Sequence, residues 1–202
     1  MDVISLPTPQ EKGKVSVEEC LAARRSVREY KNAPLSLAEV GQLLWAAQGI
    51  TGPEKQRTAP SAGALYPLEL YLVAGNVEGL PPGVYRYGPH RHQIFPLSDG
   101  DRRHELAEVA LDQDCVRYAA AVLVLTAVFR RTTRRYKEKG IRYVHMEAGH
   151  VVENVALQAV ALGLGTVPVG AFREEDVKRI LKPTAAEEPL YMVAVGRLKR
   201  SR

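Results

Sequence analysis

Apolar and polar positions alternate along this chain with two different periods, and the longest patterned stretch joins both. From Glu147 to Phe172 the sequence reads EAGHVVENVALQAVALGLGTVPVGAF. Val151, Val155 and Leu162 recur at helical spacing while Val152, Leu157 and Val160 widen the apolar surface, which predicts a helix buried nearly all round. Asn154 and Gln158, one turn apart, are placed to pair with each other or with a partner's polar groups. Gly163 and Gly165 offer the positive φ that ends a helix, and Val167, Pro168 and Val169 continue as an extended segment.

The remaining elements follow from the same reading. Ser16 with Glu19, and Ser36 with Glu39, form capping boxes. The first opens a helix reaching about Arg24, and the second one carrying Val40, Leu43, Leu44 and Ala47 up to Gly49. Leu68 to Val73 reads as a strand, GVYRY and HQIFPL as a hairpin, and Arg103 to Leu111 as a short helix. The branched run Ala119 to Phe129 predicts a strand covered on both faces. Thr132 to Lys139 is predicted helical with a stop at Gly140, Glu174, Glu175 and Asp176 open another helix, and PLYMVAVGR makes a last strand. Mixed helices and strands with hairpins argue an α+β fold and not a doubly wound sheet. Residues 1–14 read as an extended arm and 15–202 as a single domain.

Composition adds little to this picture, and charge adds more. At 202 residues with 46% hydrophobic and 25% charged positions, the chain has the make-up of a globular protein. No apolar run reaches membrane-spanning length, so the expected compartment is the cytoplasm and no membrane partner is expected. Cys20 and Cys115 read as buried small hydrophobes. The net charge of +5 is concentrated between Arg130 and Arg142 and at the C-terminal end, which makes an anionic partner conceivable. Nucleic acid is disfavoured, because only Tyr136 and Tyr143 interleave with the basic residues. His145 and His150 are five apart and share no helix face, so no metal site is expected; His150 is read as a pair for Glu147 or a pocket-wall contact.

Two segments carry candidate chemistry. Arg24, Arg25, Ser26 and Arg28 follow the first helix, and in an extended chain Arg24, Ser26 and Arg28 project to one side as a clamp for a phosphate or planar anion. The long loop Ile50 to Tyr66 ends in Pro60-Ser61-Ala62-Gly63-Ala64-Leu65-Tyr66-Pro67, whose small residues let backbone approach a flat ligand. The glycine turn at Gly163 to Gly170 is no dinucleotide fingerprint, because it follows a helix and enters a strand.

RRSVREY, PSAGALYP, the stretch Glu147 to Phe172 and PLYMVAVGR, in this order, resemble the FMN-dependent nitroreductase family, especially its azoline-dehydrogenase-like (SagB-type) branch. The resemblance implies an α+β fold with a central, mostly antiparallel sheet flanked by helices, in an interlocked homodimer with flavin sites across the interface. It assigns Arg24, Arg25, Ser26 and Arg28 to FMN, and Pro60, Ser61, Ala62 and Ala64 to the same flavin from the other subunit. Many family members have Asn where Ala64 stands, so one side-chain hydrogen bond is missing here. Pro168, Val169 and Gly170 would lie beside the ring with the Gly170 amide toward N5, and Arg197 and Lys199 would reach the phosphate. NAD(P)H is the implied co-substrate and an electron-poor small molecule the acceptor, with no protein nucleophile. The alternative within the branch is oxidation of a peptide azoline by a Lys-Tyr base pair, matched here by Arg135-Tyr136. A polyanion-binding module is the remote alternative.

Overall fold

The structure, a computed structural model, describes residues 2–184 and 186–199. Its centre is an antiparallel sheet. Strands β1 (Ile4–Ser5), β2 (Tyr30–Lys31), β3 (Leu68–Ala74), β4 (Gly83–Gly88), β5 (Gln93–Asp99), β6 (Ala121–Ala127), β7 (Leu164–Val169) and β8 (Glu188–Leu198) lie in the order β1-β5-β4-β3-β6-β8-β2, with β7 also paired to β8. Helices α1 (Val17–Ala23), α2 (Leu37–Gln48), α3 (Arg103–Val109), α4 (Asp114–Arg117), α5 (Arg130–Tyr136), α6 (Lys139–Ala161) and α7 (Glu174–Leu181) flank it.

Period-two alternation in the central strands creates two cores. Leu68, Leu70 and Leu72 of β3, with Leu123 and Leu125 of β6, pack under α2 and α6. Tyr71 and Val73 of β3, with Val122 and Val124 of β6, pack under α3, α4 and α7. Every residue of β6 is buried, as its unbroken apolar run predicts. Both capping boxes form: Ser16 Oγ accepts from Glu19 N–H and Ser36 Oγ from Glu39 N–H, with each glutamate returning to its serine's amide. Cys20 and Cys115 are buried free thiols. The first residues run extended, with β1 on β5 and the Gln10 backbone doubly bonded to the Gln42 side chain.

Three local expectations are corrected, and one left open is decided. Gly140 stops no helix: it lies in the first turn of α6, and the break falls at Lys137, whose φ is +53°. Its role is close packing, since a Cβ there would come 2.9 Å from Thr133 Cα. Of the two glycines after α6 only Gly163 has positive φ; Gly165 lies within β7, where a Cβ would sit 2.7 Å from Val27 Cγ1. α6 is not buried all round, because Glu153 is exposed and Asn154, Leu157 and Gln158 are half-buried. Asn154 and Gln158 do not pair with each other: Asn154 Nδ2 donates to the Ala46 and Thr58 carbonyls, and Gln158 Oε1 accepts from Gln42 Nε2.

Candidate functional site

The basic strip begins where α1 ends. Arg24 leaves the helix with φ −55° and ψ 128°, and the chain runs extended beside β7, where Ser26 bridges Thr166 and Val27 N–H donates to the Thr166 carbonyl at 2.8 Å. Val27 faces Gly165, and the missing side chain there is what lets the strip lie this close. The guanidinium groups spread rather than converge. Arg24 Nε is 3.4 Å from Glu153 on α6, Arg25 Nη1 turns back to the Ala22 and Arg24 carbonyls, and Arg28 is exposed. Burial pushes the Tyr30 hydroxyl and the Cys115 thiol up, and the positive charge of Arg28 opposes both shifts.

Farther along β7, Val169 is buried while Pro168 and Gly170 are exposed. A Cβ on Gly170 would meet only Tyr191 Cε1, at 3.8 Å, so the backbone there is open to a flat ligand. The C-terminal pair behaves differently. Arg197 grips Glu39 with Nη1 to Oε1 at 2.6 Å and Nη2 to Oε2 at 2.8 Å, while its Nε donates to the Pro34 carbonyl. Its fork is therefore filled from within the chain. Lys199 pairs with Glu29, next to Arg28, and so stays beside the strip.

The Pro60 to Pro67 loop forms a 3-10 turn at Ala62–Ala64, with Gly63, Ala64 and Tyr66 at φ of +63°, +53° and +45°. The left-handed region is costly for Ala and Tyr, so other contacts must hold them. Tyr66 N–H donates to Ser61 Oγ at 2.9 Å, Arg131 Nη1 donates to the Tyr66 carbonyl at 3.0 Å, and the Arg57 guanidinium lies 4.5 Å over the Tyr66 ring. Gly63 faces α5 so closely that a Cβ would come 2.7 Å from the Tyr136 hydroxyl and 3.0 Å from Arg135 Nη1. The Arg135-Tyr136 pair thus touches this loop.

Beneath the loop lies Glu147, which sequence reasoning passed over as a possible partner of His150. It is 2% exposed, its side chain lies against Ser61, and Oε1 has no partner among the described residues. Burial is the main cause that pushes its carboxyl up to about 7, against the smaller opposing effects of the Ser61 hydroxyl and the Arg57 charge. The available signal was an acid inside an apolar helical stretch, which has to find a polar neighbour.

The helix itself separates the two candidate segments. Glu147 and Asn154 are seven residues apart on one face of α6, and the loop region sits there through Ser61 and the Thr58 carbonyl. Glu153, the partner of Arg24, lies about 120° round the helix from Glu147, at roughly 100° per residue. Within one chain the strip and the loop therefore face different sides of α6. The open backbone at Gly170, the small residues of the loop and the cationic strip suit a flat, phosphate-bearing cofactor, with no side-chain donor at Ala64.

Known proteins show where this architecture recurs. A nitroreductase-family protein of Methanocaldococcus jannaschii is 48% identical over 194 residues, 96% of either chain. A nitroreductase-type structure from Ralstonia eutropha JMP134 superposes with a TM-score of 0.86 at 29% identity, covering 98% of this chain and 90% of the other. The microcin B17-processing protein McbC of Escherichia coli is 29% identical over 136 residues, 64% of this chain and half of that protein. The sequence model of the nitroreductase family matches residues 21–197, nearly the whole described fold, and the chain belongs to that family of oxidoreductases.

Proposed function

We propose that the protein is an FMN-dependent oxidoreductase that takes reducing equivalents from NAD(P)H and passes them to an electron-poor small molecule such as a nitroaromatic or a quinone. The observation that carries this reading is the Ser26–Thr166 bridge, which sets a cationic strip against the same strand that ends at the open Gly170. Arg24, Arg25, Ser26 and Arg28 hold the phosphate and polar edge of the cofactor, with Lys199 adding positive charge from the end of β8. Pro168 and Val169 form the wall beside the ring, and the Gly170 N–H is the donor toward N5. FMN, when bound, supplies hydride acceptance and delivery, so the chain's own task is binding, orientation and exclusion of water. Because the loop and strip face different sides of α6, the loop residues Pro60, Ser61, Ala62 and Ala64 serve the site of a second copy, and the working unit is a homodimer. In this reading Arg197 supports the site indirectly, by tying the end of β8 to α2.

A visible spectrum of the purified protein tests the reading, followed by anaerobic addition of NADH or NADPH. Flavin absorbance that bleaches on addition is expected; a colourless protein that takes up no FMN refutes it. A second reading, a flavin dehydrogenase acting on a peptide azoline, is favoured by Tyr136 lying against Gly63 and by the similarity to the microcin B17-processing protein. A guanidinium such as that of Arg135 is a poor base, which leaves Tyr136 to move the proton. Flavin that is present yet unreduced by NAD(P)H selects this second reading.

A further inference from the structure

Behind the candidate cofactor loop lies a concavity that the redox reading does not use. A cleft of about 480 Å³ opens between the end of α2, the Arg57–Tyr66 stretch and the adjoining ends of β3 and β4. That size suits a small organic molecule. Its walls carry three guanidinium groups, Arg57, Arg86 and Arg131, against one carboxylate, Glu69.

Glu69 is already engaged on both oxygens, with Oε1 2.6 Å from Arg131 and Oε2 2.8 Å from Arg86. Arg57 is left with neutral neighbours: Nη1 donates to Gln48 Oε1 at 2.5 Å and the guanidinium covers the Tyr66 ring. Burial pulls its pKa down, and the charges of Glu69 and Glu147 offset this only from a distance. A second, independent sign comes from Gln48. This side chain is 2% exposed and lines the cleft, yet its Nε2 is buried without an acceptor among the described residues. Flipping the amide cannot cure this, because it would turn the NH₂ group against the Arg57 donor. Buried donors without partners are uncommon, and here one accompanies a cation without a counter-ion.

We propose that this cleft binds an aromatic monocarboxylic acid, with Arg57, held in place by Gln48, as counter-ion for the carboxylate, and Tyr66 and Phe95 as walls for the ring. A planar carboxylate matches the guanidinium fork. The site stands apart from the flavin assignment, and its test uses no turnover.

Titration calorimetry of the purified full-length protein with benzoate and with the neutral isostere benzamide reads the proposal. Saturable benzoate binding is expected, with benzamide at least about tenfold weaker, as loss of one charge-assisted contact requires. Arg57→Met should abolish benzoate binding, whereas Arg179→Met, on α7 across the sheet, should leave it unchanged. Absence of saturable benzoate heat, equal binding of benzamide, or full affinity in a folded Arg57→Met variant would each overturn it. The benzoate and benzamide comparison on the unaltered chain decides the matter even if Arg57→Met does not fold.

Discussion

Glu147 and Glu187 are both buried carboxyls, and their surroundings drive them in opposite directions. Glu187 accepts from the Tyr71 and Thr126 hydroxyls, each at 2.7 Å, and from Thr184 at 2.8 Å. Burial alone would raise its pKa, but the three donors and the Arg86 charge together bring it below the ordinary value. Glu147 has only the neighbouring Ser61 hydroxyl to set against burial, with an orphaned oxygen, and it rises to about 7. Its proton is held more tightly folded than unfolded, so its contribution favours folding at low pH. That contribution declines from its ordinary 4.5 up to about 7 and is gone above. Glu147→Gln should therefore raise stability at pH 8 by on the order of 2–3 kcal/mol and change little at pH 4, read from chemical denaturation at both values. At Gly170 the fold has room for a side chain that the proposed cofactor does not. Gly170→Val should keep the melting temperature within a few degrees while lowering flavin absorbance per chain; normal flavin retention removes this glycine from the site.

At the scale of elements, the chain's patterns were legible wherever one local signal had one meaning. The two capping boxes, the all-buried β6 and the acidic start of α7 are of this kind. Glycine has several uses and misled twice. Gly140 was read as a helix stop, but the α5–α6 contact needs its bare Cα, and nothing within a few residues announces a contact made by a neighbouring helix. Gly140→Ala should thus destabilise by about 1–3 kcal/mol despite alanine's better helix propensity, measurable by urea unfolding. A stabilised variant would show that the two helices can separate at no cost. Arg197 shows the same limit: the resemblance assigns it to a phosphate, and no local pattern announces the Glu39 carboxylate it pairs with, 158 residues away in sequence.

For the molecule as a whole, a sheet covered on both faces was readable from the unbroken apolar run of β6, but the placement of the candidate site was not. The resemblance assigns the strip at Arg24 and the loop at Pro60 to different subunits, and within one chain they face different sides of α6, a separation that no local pattern in either segment announces. Val17 and Leu21, one turn apart on α1 and 64% and 56% exposed, offer an apolar face beside Arg24 for a second copy. Under the proposed homodimer, Val17→Glu combined with Leu21→Glu should give monomers by light scattering and lose flavin together with the dimer. A dimer that persists with full flavin places the interface elsewhere. Among the described residues no helix is long and apolar enough to cross a membrane.

The left-handed Ala64 and Tyr66 carry a kinetic consequence. Their conformation is imposed by Ser61, Arg131 and Arg57 of the same chain, so the loop pays its conformational cost during folding and presents a finished surface to any ligand. Cofactor uptake by the emptied protein should then follow a single exponential whose rate rises linearly with FMN concentration in stopped-flow fluorescence. Ser61→Ala, which removes the acceptor for the Tyr66 amide, should add a slow phase independent of concentration, as the loop searches for the shape it no longer holds in advance.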